Sequence, residues 1–278
     1  MSGYEQNLNG LDTLFLRKTE KGRLVETENN CLVNRAAYFG DGVFETMIFS
    51  KGKIRFAGEH QKRLNLGLHL LKIAPSTVTV QDLENFVKTH FSPDKTVRIR
   101  WNVYRAGLGK YTPQSHRAED LIMIQSMDKA VKIKPKAYIS KEIRISPSFW
   151  SHCKTLNGLS YVMANIERME KEMDEVILMS NQGFISEAGT ANIFWKKENT
   201  FYTPSLSCNC IAGVARRKII DLCDKKGLSI LEGEYVVEDI MAADQVFTSN
   251  VSGIAYIASL DNKSFGTKPL PLLERLFE

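Results

Sequence analysis

The chain has 278 residues, 43% of them hydrophobic and 25% charged, and a formal net charge of +5. These are ordinary values for a soluble globular protein, with room for a sizeable core in one large domain or two smaller ones. No stretch approaches the ~20 apolar residues of a membrane span, and the positive charge is too mild and too dispersed to mark a nucleic-acid surface. The densest basic cluster, Lys132, Lys134 and Lys136, has the spacing of alternate strand positions and no interleaved aromatic residues, so it reads as a solvated strand face. Cysteines number five, at Cys31, Cys153, Cys208, Cys210 and Cys223. An odd count without framework spacing indicates reduced thiols in a cytoplasmic protein. Cys208-x-Cys210 lacks the second ligand pair that a zinc site needs. Residues 1–10 are polar and lack the apolar run of a secretory leader.

The first predicted element is a strand over residues 42–50, rich in Val, Phe, Thr, Met and Ile. Lys51-Gly52-Lys53 turns into a short strand at 54–56. From His60 the pattern becomes helical, with Leu64, Leu68 and Leu71 on one face and Pro75 ending it. Thr79-Val80-Gln81-Asp82 has the form of a helix start and opens a helix to about His90. A strand over 97–104 leads to the glycine-rich loop Ala106-Gly107-Leu108-Gly109-Lys110, and another strand covers 121–125. The polar stretch at 126–132 marks a junction, which divides the chain into domains 1–127 and 128–278. Beyond it strands dominate, at 137–142, 175–179, 191–195, 200–203, 229–235, 244–248 and 254–259, interrupted by helices over 159–171 and 214–226. The expected class is α+β, with a strand-rich C-terminal part.

Three points on this frame carry chemistry. Lys154 lies in Cys153-Lys154-Thr155-Leu156-Asn157-Gly158-Leu159, just ahead of a helix; Glu187 lies in Ser186-Glu187-Ala188; and Gly213-Val214-Ala215-Arg216 opens the last long helix. A lysine amine can form a Schiff base with an aldehyde. A carboxylate can keep a pyridine nitrogen protonated, and a helix start offers backbone N–H groups to a phosphate. Together these are the parts that hold pyridoxal phosphate.

Further motifs stand around them in a fixed order. Arg35-Ala36-Ala37-Tyr38-Phe39-Gly40-Asp41-Gly42-Val43-Phe44-Glu45-Thr46 leads into the first strand, and His60-Gln61-Lys62-Arg63-Leu64 follows. Asn192-Ile193-Phe194 comes after Glu187, and Thr248-Ser249-Asn250-Val251-Ser252-Gly253 lies near the end. From about residue 34 onward the chain resembles the class IV aminotransferases, the fold-type IV pyridoxal-phosphate enzymes. The resemblance implies a small N-terminal α/β sandwich-like domain and a larger C-terminal strand-rich pseudo-barrel domain. It implies that Arg63 grips the cofactor phosphate, its planar fork matching phosphate oxygens. Lys154 becomes nucleophile and proton shuttle, and Glu187, with Asn192 nearby, meets the ring nitrogen. Gly213, Val214 and Ala215 present backbone to the phosphate, although Ala215 stands where the family often has a threonine hydroxyl. In the last motif Asn250 resembles the asparagine of aminodeoxychorismate lyases, and Val251 replaces a common hydroxyl. Which of Ser249, Asn250 and Ser252 reaches the phosphate stays open. Phe44 belongs to the strand that walls the substrate pocket, and Thr46 beside it is a candidate proton donor to a leaving group.

Departures from the family pattern narrow the reaction. Leu159 stands where branched-chain aminotransferases carry a tyrosine, and the Arg-x-His carboxylate trap of D-amino-acid aminotransferases is missing from the loop Arg105 to Pro113. That loop is closest to the aminodeoxychorismate lyase form, with Arg105 and Lys110 as candidate partners for substrate carboxylates. The expected activity is therefore a 4-amino-4-deoxychorismate lyase releasing pyruvate and 4-aminobenzoate, with an amino-acid transaminase of D-amino-acid or branched-chain type as the alternative. Intact Lys154 and Glu187 oppose a non-catalytic descendant. The resemblance also implies a homodimer in which the loop from Arg105 to Thr112 visits the partner's pocket, a small-molecule amino substrate, and no metal, nucleic acid or membrane.

Overall fold

A computed structural model describes residues 16–18, 24–26, 34–92, 94–127 and 130–278. The expectations for residues 1–10 and Cys31, and two junction residues, Asp128 and Lys129, lie outside the described residues. Two short strands, β1 (Leu16–Lys18) and β2 (Leu24–Glu26), pair antiparallel. A one-turn helix follows, α1 (Arg35–Phe39), whose first turn is closed by the Asn34 side chain accepting from the Ala37 N–H at 2.9 Å.

The first large sheet is built from β3 (Gly42–Ser50), β4 (Lys53–Ile54), β5 (Val97–Arg105) and β6 (Ala118–Ser126) in the order β4-β3-β5-β6. Two helices, α2 (Ala57–Leu70) and α3 (Val80–His90), cover one face. Val97, Ile99, Trp101 and Val103 of β5 alternate inward and pack with Leu64, Leu68, Leu83 and Val87 of the helices. Strand pleating therefore turns Arg98, Arg100 and Asn102 to the opposite face. Thr46 lies opposite Arg100 and Phe44 opposite Asn102 in the β3–β5 register, so these side chains share that uncovered face. The predicted strand at 54–56 ends at Ile54 because Phe56 adopts a left-handed φ of 57° to enter α2. Thr79 and Asp82 cap α3 reciprocally, as the sequence predicts.

The rest of the chain forms two more sheets. The elements are β7 (Ile133–Lys134), β8 (Ala137–Ile145), α4 (Leu159–Glu170), β9 (Glu175–Ser180), β10 (Ile185–Ala188), β11 (Asn192–Lys197), β12 (Thr200–Pro204), α5 (Val214–Lys226), β13 (Ile230–Gly233), α6 (Val237–Met241), β14 (Gln245–Asn250), β15 (Gly253–Ile257), β16 (Ser259–Leu260), β17 (Lys263–Ser264) and α7 (Pro271–Glu274). One sheet runs β13-β12-β11-β14-β15-β7 and the other β10-β9-β8-β16-β17. Ile177, Ile185, Ile193, Trp195, Val246 and Leu260 form the core between them. On its other side the six-stranded sheet stacks Phe194 and Phe247 against Ile219 and Cys223 of α5.

The lysine cluster departs in part from its expected solvated face. Lys132 and Lys136 are exposed, but Lys134 is largely covered, pairs with Glu175 and donates to Thr248 Oγ1 at 3.2 Å. Glu175 is buried and needs a counter-charge, which Lys134 supplies from β7 of the other sheet. Cys153, Cys208, Cys210 and Cys223 are free and buried. Among the described residues no helix is long and apolar enough to cross a membrane, and no His, Cys, Asp and Glu side chains cluster as metal ligands.

Candidate active site

A cavity of about 1000 Å³ opens where the uncovered face of the first sheet meets the loop before α4, the start of α5 and the turn after β14. Lys154 reaches it because its segment is tied to β3. The Phe44 N–H donates to the Lys154 carbonyl at 2.8 Å, and the Leu156 N–H to the Gly42 carbonyl at 2.9 Å. Gly42 is closely packed here: a Cβ would lie 2.8 Å from Leu156 Cδ1 on that segment and 2.4 Å from the Val103 carbonyl oxygen of β5. The Lys154 amine stands 4.3 Å from the Phe44 ring centroid. Burial, joined by the Arg63 guanidinium, brings its pKa from 10.5 down to about 8.

Glu187, on β10, is 2% exposed. Its Oε1 accepts from the Tyr161 hydroxyl at 2.5 Å and the Ile211 N–H at 3.2 Å, and its Oε2 from Asn192 Nδ2 at 3.5 Å. Burial outweighs these donors and raises the carboxyl from 4.5 to about 7. A carboxylate in that position is short of a cation. Asn192 donates more strongly to the Ile211 carbonyl, at 2.8 Å. Its Oδ1 would sit 1.9 Å from a Cβ on Gly213, so the glycine at the head of α5 makes room for it. No side chain caps α5, which leaves the Val214 and Ala215 N–H groups of its first turn without intrahelical acceptors on the cavity wall.

Arg63 lies on the same wall, forked onto Glu45 through Nε (2.8 Å) and Nη2 (2.5 Å), with Nη1 reaching the Ala212 carbonyl at 3.3 Å. It thereby ties α2 to the segment ahead of α5. Burial works against the Glu45 charge, but the Arg63 guanidinium and the His60 ring (2.6 Å) hold that carboxyl down at about 2. Beyond β14, Asn250 is occupied, accepting from the Ser252 N–H at 2.9 Å and donating to the Thr190 carbonyl at 3.4 Å. The Val251 carbonyl accepts from Arg55 at 2.7 Å. The Ser249 hydroxyl is different: it is buried on the cavity wall and has no partner among the described residues.

These residues fit pyridoxal phosphate. Lys154 would take the aldehyde, and Glu187 would face the ring nitrogen. The start of α5, Arg63 and the unpartnered Ser249 hydroxyl would serve the phosphate.

Arg105 and Lys110, expected as substrate contacts on a loop that visits a partner's pocket, do not line this cavity of their own chain. Arg105 spends its guanidinium on Asp41 (2.9 Å) and on the carbonyls of Leu71 (2.6 Å) and Lys72 (2.9 Å), beside a smaller neighbouring cavity. It locks the end of β5 to the end of α2, because a buried guanidinium needs every donor answered. Lys110 is exposed outside the cavity, and its carbonyl accepts from Arg35 at 2.8 Å. The structure also brings Arg98 and Arg100 to the cavity, with Tyr161 behind Glu187. The signal for the arginines is the alternation in Val97-Arg98-Ile99-Arg100-Trp101, which sets both opposite the apolar face.

Comparison with known proteins agrees with this geometry. A family model described as amino-transferase class IV matches residues 42–260. An aminodeoxychorismate lyase from Vibrio harveyi is 25% identical over 249 residues, 84% of this chain and 89% of the other. A D-alanine aminotransferase from Bacillus licheniformis is 28% identical over 275 residues, 92% of each chain. The crystal structure of a branched-chain aminotransferase from Thermoproteus uzoniensis shares the fold, with a TM-score of 0.80 at 21% identity over 95% of this chain and 92% of that one. With the family model spanning the lysine, the glutamate and the start of α5, the chain belongs to the class IV aminotransferase family, enzymes whose cofactor is pyridoxal phosphate.

Proposed function

We propose that this enzyme is a 4-amino-4-deoxychorismate lyase. The observation that supports the reading is the pair Arg98 and Arg100, which face the cavity with no carboxylate partner among the described residues. The Arg100 guanidinium lies 3.8 Å over the Phe44 ring centroid and donates to Asn102 Oδ1 at 2.9 Å; Arg98 reaches only Gln125, at 3.4 Å. Burial, with Arg98 alongside, lowers the Arg100 pKa, the mark of a cation awaiting an anion. The products of the lyase reaction, pyruvate and 4-aminobenzoate, each carry a carboxylate, so the substrate carries two. An aliphatic branched-chain substrate has none beyond its α-carboxylate.

When bound, pyridoxal phosphate supplies an electron-withdrawing ring that stabilises negative charge on the carbon bearing the substrate amine. Lys154 is the base that takes the proton from that carbon. Thr46, which shares the sheet face of Arg100, is the proton donor this reading assigns to the departing pyruvate oxygen. The relatedness to a D-alanine aminotransferase favours transamination as the second reading, with Lys154 and Glu187 in the same roles.

Mixing the holoenzyme with aminodeoxychorismate tests the choice. Release of 4-aminobenzoate at the rate of substrate loss supports the lyase; bleaching of the cofactor by D- or L-amino acids, reversed by a keto acid, replaces it with a transaminase. Arg100→Met is expected to raise KM for a dicarboxylate substrate about tenfold or more while kcat changes less, because the lost interaction acts in ground and transition state alike. An unchanged KM removes Arg100 from substrate binding.

The homodimer belongs to the same proposal. α4 turns Tyr161, Ala164, Asn165 and Arg168 inward and leaves Leu159, Val162, Met163, Ile166 and Met169 exposed, at 41–67%. An apolar stripe on the outer face of a helix is the pattern of a surface covered by a second copy. Ile166→Asp is expected to shift the species seen by light scattering from dimer to monomer; an unaltered dimer places the interface elsewhere.

A further inference from the structure

The cofactor-facing carboxylate is held from behind by a residue of α4. The inner face of that helix is stapled to the turn after β10, since Asn165 Nδ2 donates to the Tyr161 carbonyl at 2.8 Å and to the Gly189 carbonyl at 3.2 Å. This fixes the backbone from which the Tyr161 ring reaches inward. Its hydroxyl donates to Glu187 Oε1 at 2.5 Å, and the Ile211 N–H donates to the same oxygen at 3.2 Å. Two donors occupy the two lone-pair directions of Oε1. Among the described residues, Oε2 has only the long 3.5 Å contact from Asn192, whose amide makes its shorter bond to Ile211. The two oxygens of one carboxylate are therefore unequal.

We infer that Tyr161 is a positioning residue that saturates Glu187 Oε1 and leaves Oε2 as the acceptor for the ring N–H of pyridoxal phosphate. The inference rests on the cofactor assignment and not on the lyase reading. It extends to charge: a hydroxyl donating to a buried carboxylate favours the ionised form, against the burial that raises this carboxyl to about 7. Without the hydroxyl, Glu187 is held less firmly and is more often neutral, and it loses its grip on a protonated ring nitrogen. Tyr161 touches neither substrate nor the reacting carbon in this scheme. It acts through Glu187.

The test uses the full-length apoprotein reconstituted with pyridoxal phosphate and, separately, with its 1-deaza analogue, in which a C–H replaces the ring nitrogen. Dissociation constants are measured by absorbance for the parent, Tyr161→Phe and Glu187→Gln. The parent is expected to prefer pyridoxal phosphate. Tyr161→Phe is expected to weaken pyridoxal phosphate about tenfold, one charge-assisted hydrogen bond, while leaving the analogue within about twofold. Glu187→Gln is expected to reduce the preference as well. An equal loss for both ligands in Tyr161→Phe would mean that the ring only packs, and no loss for either would mean that Ile211 and Asn192 suffice; each overturns the proposal. A preference that survives Glu187→Gln overturns it together with the role of Glu187. Release of 4-aminobenzoate does not enter these outcomes, so the lyase reading stands or falls separately.

Discussion

Lys154→Ala is expected to lower turnover about 10³-fold or more, because it removes the group that binds the cofactor covalently and the base that moves the substrate proton. The environment explains why this lysine can do both. Burial, with the Arg63 guanidinium, brings the amine from 10.5 to about 8. A shift of that size makes the neutral, nucleophilic form at pH 7 about 300 times more abundant than on an ordinary lysine. Uptake of pyridoxal phosphate by the apoprotein should accordingly quicken as pH rises and level off above about 8, and a stopped-flow absorbance series across pH measures it. A plateau reached only above pH 10 would mean that the cavity does not depress the amine. Methylamine added to Lys154→Ala should restore part of the turnover, since the cavity left by the side chain admits a small base. Normal turnover by Lys154→Ala would remove the residue from the mechanism. A parent protein that takes up pyridoxal phosphate but turns over no amine would instead identify a non-catalytic descendant.

Some elements were legible residue by residue. The strand over 42–50 and the helix over 214–226 coincide with β3 and α5, since each has a signal at both ends: Gly42 and Lys51-Gly52 around the strand, Gly213 and Gly227 around the helix. The short elements α1, β10 and α6 were not foreseen. β10 is buried at all four positions and so shows no alternation, and α1 and α6 span a little over one turn each, too few residues for a helical period. Within the site, Lys154, Glu187, Asn192 and Gly213 could be picked out by motif and order, and the structure brings them to one cavity. Arg105 takes its surroundings from the fold. It adjoins a glycine-rich loop in sequence, but the groups that occupy it, Asp41 and the carbonyls at the end of α2, are adjacent only after folding. Arg98 and Arg100 were visible in the alternation of β5, yet an arginine opposite a core-facing residue is usually solvated, and only the cavity distinguishes these two. Tyr161 gave no signal, because it lies on α4 and its partner Glu187 on β10, and folding alone brings them together.

Glu187→Gln is expected to stabilise the apoprotein while it impairs the enzyme. The carboxyl has an ordinary value of 4.5 and about 7 in the fold, raised by burial. Between these values the folded protein holds a proton that the unfolded chain has released, so stability falls as pH rises from 4.5 to 7. Above 7 the deficit is complete, at about 3 kcal/mol. Glutamine keeps an oxygen to accept from Tyr161 and Ile211 and never ionises, so it escapes this deficit. The apo variant should therefore melt above the apo parent at pH 8, by about 5 °C or more, and the gap should close as pH falls toward 5, where the parent carboxyl is protonated. In the holoenzyme the gap should narrow even at pH 8, because a cationic ring nitrogen offsets the buried negative charge. Turnover should drop about 10²-fold or more, since a neutral amide cannot hold the ring nitrogen protonated. Paired melting curves and single-turnover rates on the same preparations separate the two effects. A variant that gains no stability at pH 8 would show that the carboxyl is not strained by burial. One that gains stability and keeps full activity would show that the ring nitrogen is served by another group. A residue that costs the apoprotein stability at neutral pH is thus one the cofactor is needed to balance, and this opposition of stability and activity is what marks Glu187 as part of the site rather than of the core.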